Sequence, residues 1–173
     1  MLEIEIKSYC SDHSSVESKL IELGADKIKA VYEEDVYFQH PSRDFKQSGE
    51  AFRIRRIDDK YFITYKGPKI NTKSKTRYEA ETGISDGKTG RDIIERIGFT
   101  EAGTVTKERK IYSLDGIEIC LDHVHNLGDF VELEKLGEDY VSIEKELFIL
   151  ADKLGLADFT SRSYLNLLME KNN

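Results

Sequence analysis

The chain has 173 residues, of which 34% are charged and 39% hydrophobic, and it carries a net charge of −7. That length fits one domain, 1–173, with a substantial core, and the negative balance argues against nonspecific binding to nucleic acid or an anionic membrane. No apolar run reaches membrane-span length and no basic-then-apolar leader opens the chain, so a cytoplasmic protein is expected, with a small polyanion in a locally basic cavity still open as a ligand.

Met1 to Lys7 reads as a strand with Glu3, Glu5 and Lys7 on one face and Leu2, Ile4 and Ile6 on the other. Alone, such a strand is an ordinary half-solvated one. Ser14-Ser15-Val16-Glu17 matches a capping box and predicts a helix. Val16, Leu20, Ile21 and Leu23 form its apolar stripe, and Gly24 stops it. Residues 31–39 read as a strand holding Tyr32, Val36, Tyr37 and Phe38, closed by a loop from His40 to Asp44. Ala51 to Ile57 alternates Phe52 and Ile54 with Arg53 and Arg55, and Arg56 falls on the apolar side. After a turn at Asp58-Asp59, Tyr61 to Lys66 puts Thr64 and Lys66 on one face, and Gly67-Pro68 ends it. Lys69 to Lys75 reads as a mobile loop, a solvated linker before an anion-closing one.

Arg77, Glu79 and Glu81 then recur at period two. A helix is expected over 89–97 with Ile93, Ile94 and Ile97 facing inward. Val105 to Leu114 carries Lys107 and Arg109 on one face, and Asp115-Gly116 is a hairpin signal into Ile117 to Val124, which carries Glu118, Cys120 and Asp122. Phe130 to Leu136 presents Glu132 and Glu134 opposite Val131 and Leu133. Two helices close the chain. One is capped by Ser142 with a stripe of Ile143, Leu147, Leu150 and Leu154; the other carries Tyr164, Leu165, Leu168 and Met169. Cys10 and Cys120 have no metal spacing and read as reduced and structural; His123 and His125 form an HxH on a strand, a metal pair as one reading and surface residues near a turn as the commoner one.

The polar faces gather into two sets. Lys7, Arg53, Arg55, Lys66, Arg77, Lys107 and Arg109 are basic, and Glu3, Glu5, Glu79, Glu81, Asp122, Glu132 and Glu134 are acidic. Antiparallel strands with this alternation form either an open sheet with a solvated face or a closed barrel whose charges point into a wet lumen. Pattern alone leaves the two open; the weight of Arg and Glu, where solvated faces carry Thr, Ser and Gln, favours the barrel. Arg forks and Lys ammoniums bind phosphate oxygens, while carboxylates hold hard cations that also bridge phosphates. The chemistry that suits the lumen is a metal with a di- or triphosphate. Mg²⁺ or Mn²⁺ fits, and the lack of a His or Cys cluster argues against zinc.

Glu3-Ile4-Glu5-Ile6-Lys7 resembles the ExExK signature of the CYTH superfamily, the triphosphate tunnel metalloenzymes. Arg53-Ile54-Arg55, Thr64-Tyr65-Lys66-Gly67, Arg77-Tyr78-Glu79-Ala80-Glu81, Lys107-Glu108-Arg109, Leu121-Asp122 and Val131-Glu132-Leu133-Glu134 follow in the family's order. The run Tyr37 to Phe45, the run Glu50 to Arg55 and Ser161-Arg162-Ser163-Tyr164 are similar to the class IV adenylyl cyclase-like group, with Phe52 where a Leu is common.

The resemblance implies an α+β fold, an antiparallel eight-stranded barrel with a charged lumen and helices packed outside. It implies that Glu3, Glu5, Asp122, Glu132 and Glu134 gather around the metal. Lys7, Arg53, Arg55, Lys66, Lys107 and Arg109 would hold phosphates; Arg77, Glu79 and Glu81 would serve either role or form salt bridges in the wall. The expected activity is a Mg²⁺- or Mn²⁺-dependent adenylyl cyclase acting on ATP, with Lys7, Arg109 and Tyr37 as candidate catalytic residues. The alternatives are a triphosphatase acting on tripolyphosphate, thiamine triphosphate or a nucleotide, and a noncatalytic polyphosphate-binding module. In the hydrolase, Lys7 near Tyr37 would assist, against a packed role for Tyr37. Oligomeric state, a homodimer included, is left open.

Overall fold

A computed structural model describes residues 2–70 and 74–172. In chain order the elements are β1 (Leu2–Tyr9), α1 (His13–Glu22), β2 (Asp26–Gln39), α2 (Phe45–Ser48), β3 (Ala51–Ile57), β4 (Lys60–Lys66), β5 (Arg77–Ile84), α3 (Gly87–Arg96), β6 (Thr100–Leu114), β7 (Ile117–Val124), β8 (Gly128–Gly137), α4 (Tyr140–Leu154) and α5 (Tyr164–Lys171). The eight strands close into an antiparallel barrel in the order β1-β5-β4-β3-β2-β6-β7-β8. The closed alternative is therefore the one the chain adopts.

Closure sorts the apolar faces to the outside of the barrel. Ile4, Ile6, Ile119, Leu121, Val131 and Leu133 point outward from β1, β7 and β8 and are covered by α1 and α4 through Val16, Leu20, Leu147, Leu150 and Leu154. A second cluster joins α5 to β6 and β7 through Leu167, Val105 and Val124, and a third joins Ile94 of α3 to Phe38 and Ile54. Helices take the outer side of most strands, the β5 face at Tyr78 staying exposed, and the alternating residues face the lumen.

Register decides which charges meet there. Lys7 lies opposite Glu132, Arg109 opposite Asp122, Glu33 opposite Lys107, Asp35 opposite Arg55 and Lys66 opposite Glu79. The β6–β7 hairpin turns through Asp115 and Gly116, both at positive φ (52° and 76°), the geometry that makes Asp-Gly favourable in a two-residue turn. The seam between β1 and β5 is short, with ladder pairs Leu2–Tyr78 and Glu3–Arg77, and is continued by the Lys75 N–H, which donates to the Glu5 carbonyl at 2.9 Å.

Several expectations are corrected. Asp12, accepting from the Ser15 N–H, caps α1 in place of the expected capping box, and Asp139, accepting from the Ser142 N–H, caps α4 in place of Ser142. In each case a carboxylate a few residues upstream reaches the free N–H first. β2 and β6 begin five residues earlier than expected, at Asp26 and Thr100, because they pair with each other along nearly their whole length. Their polar outer starts hide that pairing from sequence. A short helix not expected from sequence, α2, follows the loop from His40 to Asp44, and Ile21, Leu23, Ile93 and Ile97 lie exposed instead of facing the core. Lys75 is buried and bonded, not part of a solvated linker; Asn71 to Lys73 of that expected loop lie outside the described residues.

Leu147 is fully buried at the centre of the main cluster, whereas Ile93 is 55% exposed. Leu147→Ala is expected to lower stability by about 2–5 kcal/mol and Ile93→Ala by less than about 0.5 kcal/mol, read from urea denaturation midpoints.

Candidate active site

The barrel interior is a cavity of about 700 Å³. Its wall carries Glu3, Glu5 and Lys7 from β1, Arg53 and Arg55 from β3, Lys66 from β4, Arg77 and Glu79 from β5, Lys107 and Arg109 from β6, and Glu132 and Glu134 from β8. All of the basic residues expected from sequence reach it. So does Tyr37, whose hydroxyl accepts from Arg53 Nη1 at 3.3 Å.

Burying this many charges demands partners, because an unpaired one costs several kcal/mol. The partners are specific. Arg55 forms a fork on Asp35 (2.6 and 2.8 Å), and Arg53 reaches the same carboxylate at 3.2 Å. Lys107 lies 2.9 Å from Glu33 and 3.4 Å from Asp35. Arg109 forks onto Asp122 (2.6 Å twice) and also contacts Glu132 at 2.5 Å. Lys7 pairs with Glu132 at 2.9 Å and lies 3.6 Å above the Tyr164 ring, whose hydroxyl donates to Asp122 at 2.7 Å. Lys7 is therefore on Tyr164, and Tyr37 is on Arg53.

Charge states follow from this lattice. Burial raises the Asp35 carboxyl, but Arg53, Arg55 and Lys107 outweigh it and hold it well below the usual range. Burial likewise raises Glu33, yet Lys107, Arg109 and Arg55 bring it down to about 2. Glu132 is held well below the usual range by Lys7 and Arg109 against burial. Burial lowers Arg55 and Arg109, but Asp35 and Asp122 respectively raise them beyond any accessible titration.

Of the five carboxylates expected around a metal, the structure brings three together. Oxygens of Glu3, Glu5 and Glu134 lie within 4.8 Å of one another. Asp122 and Glu132 are engaged by Arg109. Three converging carboxylates are the donor set a hard divalent cation takes. Two internal ammoniums stand on them: Lys66 on Glu3 at 2.7 and 2.8 Å and Lys75 on Glu5 at 2.5 Å. Glu134 responds differently. Burial and the carboxylates of Glu3, Glu118 and Glu5, against only Lys66, push it up to about 8. Such a cluster calls for positive charge, so the residues fit a divalent metal.

Glu79 pairs with Lys66 at 2.5 Å, and Glu81 accepts from the Thr64 hydroxyl at 2.7 Å. Arg77 Nε is buried without a hydrogen-bond partner, 3.9 Å from Glu3. The sequence reading missed Glu33, Asp35 and Lys75. Glu33, Asp35 and Tyr37 do alternate at period two, a signal masked by the apolar neighbours Tyr32, Val36 and Phe38. Tyr164 was read as part of a helix stripe, whereas its ring and hydroxyl touch Lys7 and Asp122. His123 is exposed and bonds Asp129 at 2.5 Å.

The raised Glu134 yields a signed pH dependence. A carboxyl whose folded value lies near 8 and whose ordinary value is 4.5 binds its proton more tightly in the folded state. Its contribution to stability is therefore present below pH 4.5 and lost as pH rises through 8. With divalent cations chelated, wild type is expected to lose melting temperature relative to Glu134→Gln between pH 5.5 and 9. Added Mg²⁺ at pH 9 should return it. Melting curves at both pH values check this.

The sequence model of the CYTH domain matches residues 1–164. A Methanocaldococcus jannaschii protein, MJ0240, named provisionally as an adenylate cyclase, is 40% identical over 172 residues, covering 96% of this chain and 98% of that protein. The adenylate cyclase CyaB of Aeromonas hydrophila is 27% identical over 95% of this chain and 87% of its own length. Among solved structures, PH1819 of Pyrococcus horikoshii OT3 superposes with a TM-score of 0.90 at 39% identity, covering 98% of this chain and 99% of that one. HpAC1 of Hippeastrum, described with a dominant triphosphatase activity, shares the fold at a TM-score of 0.69 and 19% identity, over 98% and 96% of the two chains. Barrel, charged lumen and a match along nearly the whole sequence agree: the chain belongs to the CYTH domain family.

Proposed function

We propose that this protein is a divalent-metal-dependent adenylyl cyclase that converts ATP to cyclic AMP and pyrophosphate. One observation carries the reading. A row of buried cations, Lys7, Arg53, Arg55, Lys66, Lys107 and Arg109, shares one cavity with the converging carboxylates Glu3, Glu5 and Glu134. The names of the relatives from Methanocaldococcus jannaschii and Aeromonas hydrophila support the cyclase.

Mg²⁺ or Mn²⁺ held by Glu3, Glu5 and Glu134 would polarise phosphoryl oxygens and neutralise charge on the leaving pyrophosphate. The side chains do the rest. Asp35 fixes Arg53 and Arg55, and Tyr37 orients Arg53, so these guanidiniums meet the triphosphate preorganised. Lys7, held between Glu132 and the Tyr164 face, and Lys107 add point charge from neighbouring walls. Arg109 spends Nε and Nη2 on Asp122 and Glu132, so its contribution is field and the positioning of those carboxylates. With the phosphates clamped, the ribose 3′-hydroxyl is placed to attack the α-phosphorus. The O3′–P bond forms as the bond from phosphorus to the pyrophosphate oxygen breaks, and the hydroxyl proton leaves to solvent.

A triphosphatase is the second reading. The cavity of about 700 Å³ exceeds what a triphosphate alone fills, which leaves room for an attacking water beside the same cations. The activity described for the Hippeastrum protein makes tripolyphosphate a necessary comparison.

Purified protein with Mg²⁺ or Mn²⁺ is to be given ATP, tripolyphosphate and thiamine triphosphate separately, with products identified by mass. Cyclic AMP with pyrophosphate is expected from ATP; orthophosphate without a cyclic product would make it a hydrolase, and tight binding without turnover a binding module. Glu5→Gln should lower turnover by roughly 100-fold or more with an unchanged circular dichroism spectrum. Retained turnover would remove Glu5 from the metal set.

A further inference from the structure

Lys75 is absent from every functional set the strand pattern suggests, yet it lines the cavity. Its ammonium sits 2.5 Å from Glu5 Oε1, and both side chains are nearly inaccessible. Its backbone is pinned independently of that contact. The Lys75 N–H donates to the Glu5 carbonyl at 2.9 Å, and on either side Ser74 Oγ and Thr76 Oγ1 hydrogen-bond to each other at 2.8 Å, both buried. The Cα is therefore fixed beside Glu5, so any movement of the ammonium has to come from rotation about its four-carbon stem.

Glu5 belongs to the three carboxylates that fit a divalent cation. A dication and an ammonium brought onto one buried carboxylate compete for its lone pairs and repel strongly at low dielectric. Lys7 also stands on the β1 lumen face and adds repulsion to an ammonium left near Glu5. A displaced Lys75 ammonium must find another anion inside the same cavity. Glu132 is already paired with Lys7 and Arg109, so the triphosphate is the anion that offers new acceptors, and an ammonium on phosphate oxygens makes a charge-assisted hydrogen bond.

We infer that Lys75 is an exchangeable cation: it holds Glu5 until the metal arrives, then transfers to the triphosphate, so that metal loading creates a phosphate contact. This rests on the metal-and-triphosphate reading of the cavity. It makes Lys75 a substrate-binding residue in the loaded protein and a competitor of the metal in the empty one.

The test uses Mn²⁺ binding by the full chain without nucleotide, in wild type and Lys75→Met, followed by binding of a bismethylene-bridged ATP analogue at saturating Mn²⁺. Lys75→Met should bind Mn²⁺ about tenfold more tightly and the analogue about tenfold more weakly, since one buried charge partner is removed in each case. Brief acetic anhydride labelling of wild type, read at Lys75 by peptide fragmentation, separates exchange from a fixed structural pair. Exchange predicts Lys75 protected in the metal-free protein, labelled with Mn²⁺ alone and protected again with Mn²⁺ plus the analogue. Protection in all three states, or unchanged Mn²⁺ affinity in Lys75→Met, overturns the inference while leaving the function intact. If Lys75→Met does not fold, the labelling of wild type decides alone. A wild-type protein that binds neither Mn²⁺ nor the analogue overturns both this inference and the function it rests on.

Discussion

Everything in this structure depends on the requirement that a charge taken out of water must meet an opposite one at close range. The closed barrel places its cations around a narrow lumen, where repulsion among Arg53, Arg55, Lys107 and Arg109 would be severe without intervening acids. Asp35 and Glu33 lie between them and join β2, β3 and β6 by charge as well as by backbone ladder. Asp122 and Glu132 perform the same service between β1, β6, β7 and β8. Such pairs add little net stability compared with a packed core, but they fix the direction of each guanidinium. The helices carry the stability, and the ion pairs carry the geometry.

The lumen is divided by how fully its acids are compensated. Around Asp35, Glu33 and Glu132 the cations win, and those carboxyls stay ionised far below neutral pH. Around Glu134 the acids win, and burial with Glu3, Glu118 and Glu5 leaves it short of positive charge. One region thus presents fixed cations to an anion, while the other presents carboxylates to a cation. A metal-bound triphosphate has both charges in one ligand, which is why the two regions belong to one cavity. The lysines on Glu3 and Glu5 lie along the boundary between them.

The chain's end takes part in this arrangement. The segment before α5 is tied to β1 by the Thr160 N–H on the Lys7 carbonyl and by the Lys7 ammonium on the Arg162 carbonyl. That anchoring delivers Tyr164 to Lys7 and Asp122, so a residue near the C-terminus helps orient a strand near the N-terminus. The barrel-facing apolar side of α5 closes the same connection through Leu167 against Val105 and Val124.

Alternation of period two was enough to put Glu3, Glu5 and Lys7, Arg53 and Arg55, Lys107 and Arg109, and Glu132 and Glu134 each on one face of their own strand, because strand geometry sends every second side chain the same way. The apolar stripes at Ile143, Leu147, Leu150 and Leu154 determined a helix for the same kind of reason. Closure was beyond the pattern, since an open sheet has identical alternation, and only the pairing of β1 with both β5 and β8 settled it. Tertiary structure also decided the partners. Glu33 and Asp35 had no assigned role in their aromatic strand until register set them against Lys107 and Arg55, and Lys75 looked like linker until the β1–β5 seam carried it onto Glu5. Which carboxylates are left for a metal is likewise a matter of distance: Asp122 and Glu132 share the lumen face with Glu134, but Arg109 lies within reach of only the first two. Periodicity gives a side chain's face; opposition across a barrel gives its partner, and that is fixed only when the last strand meets the first.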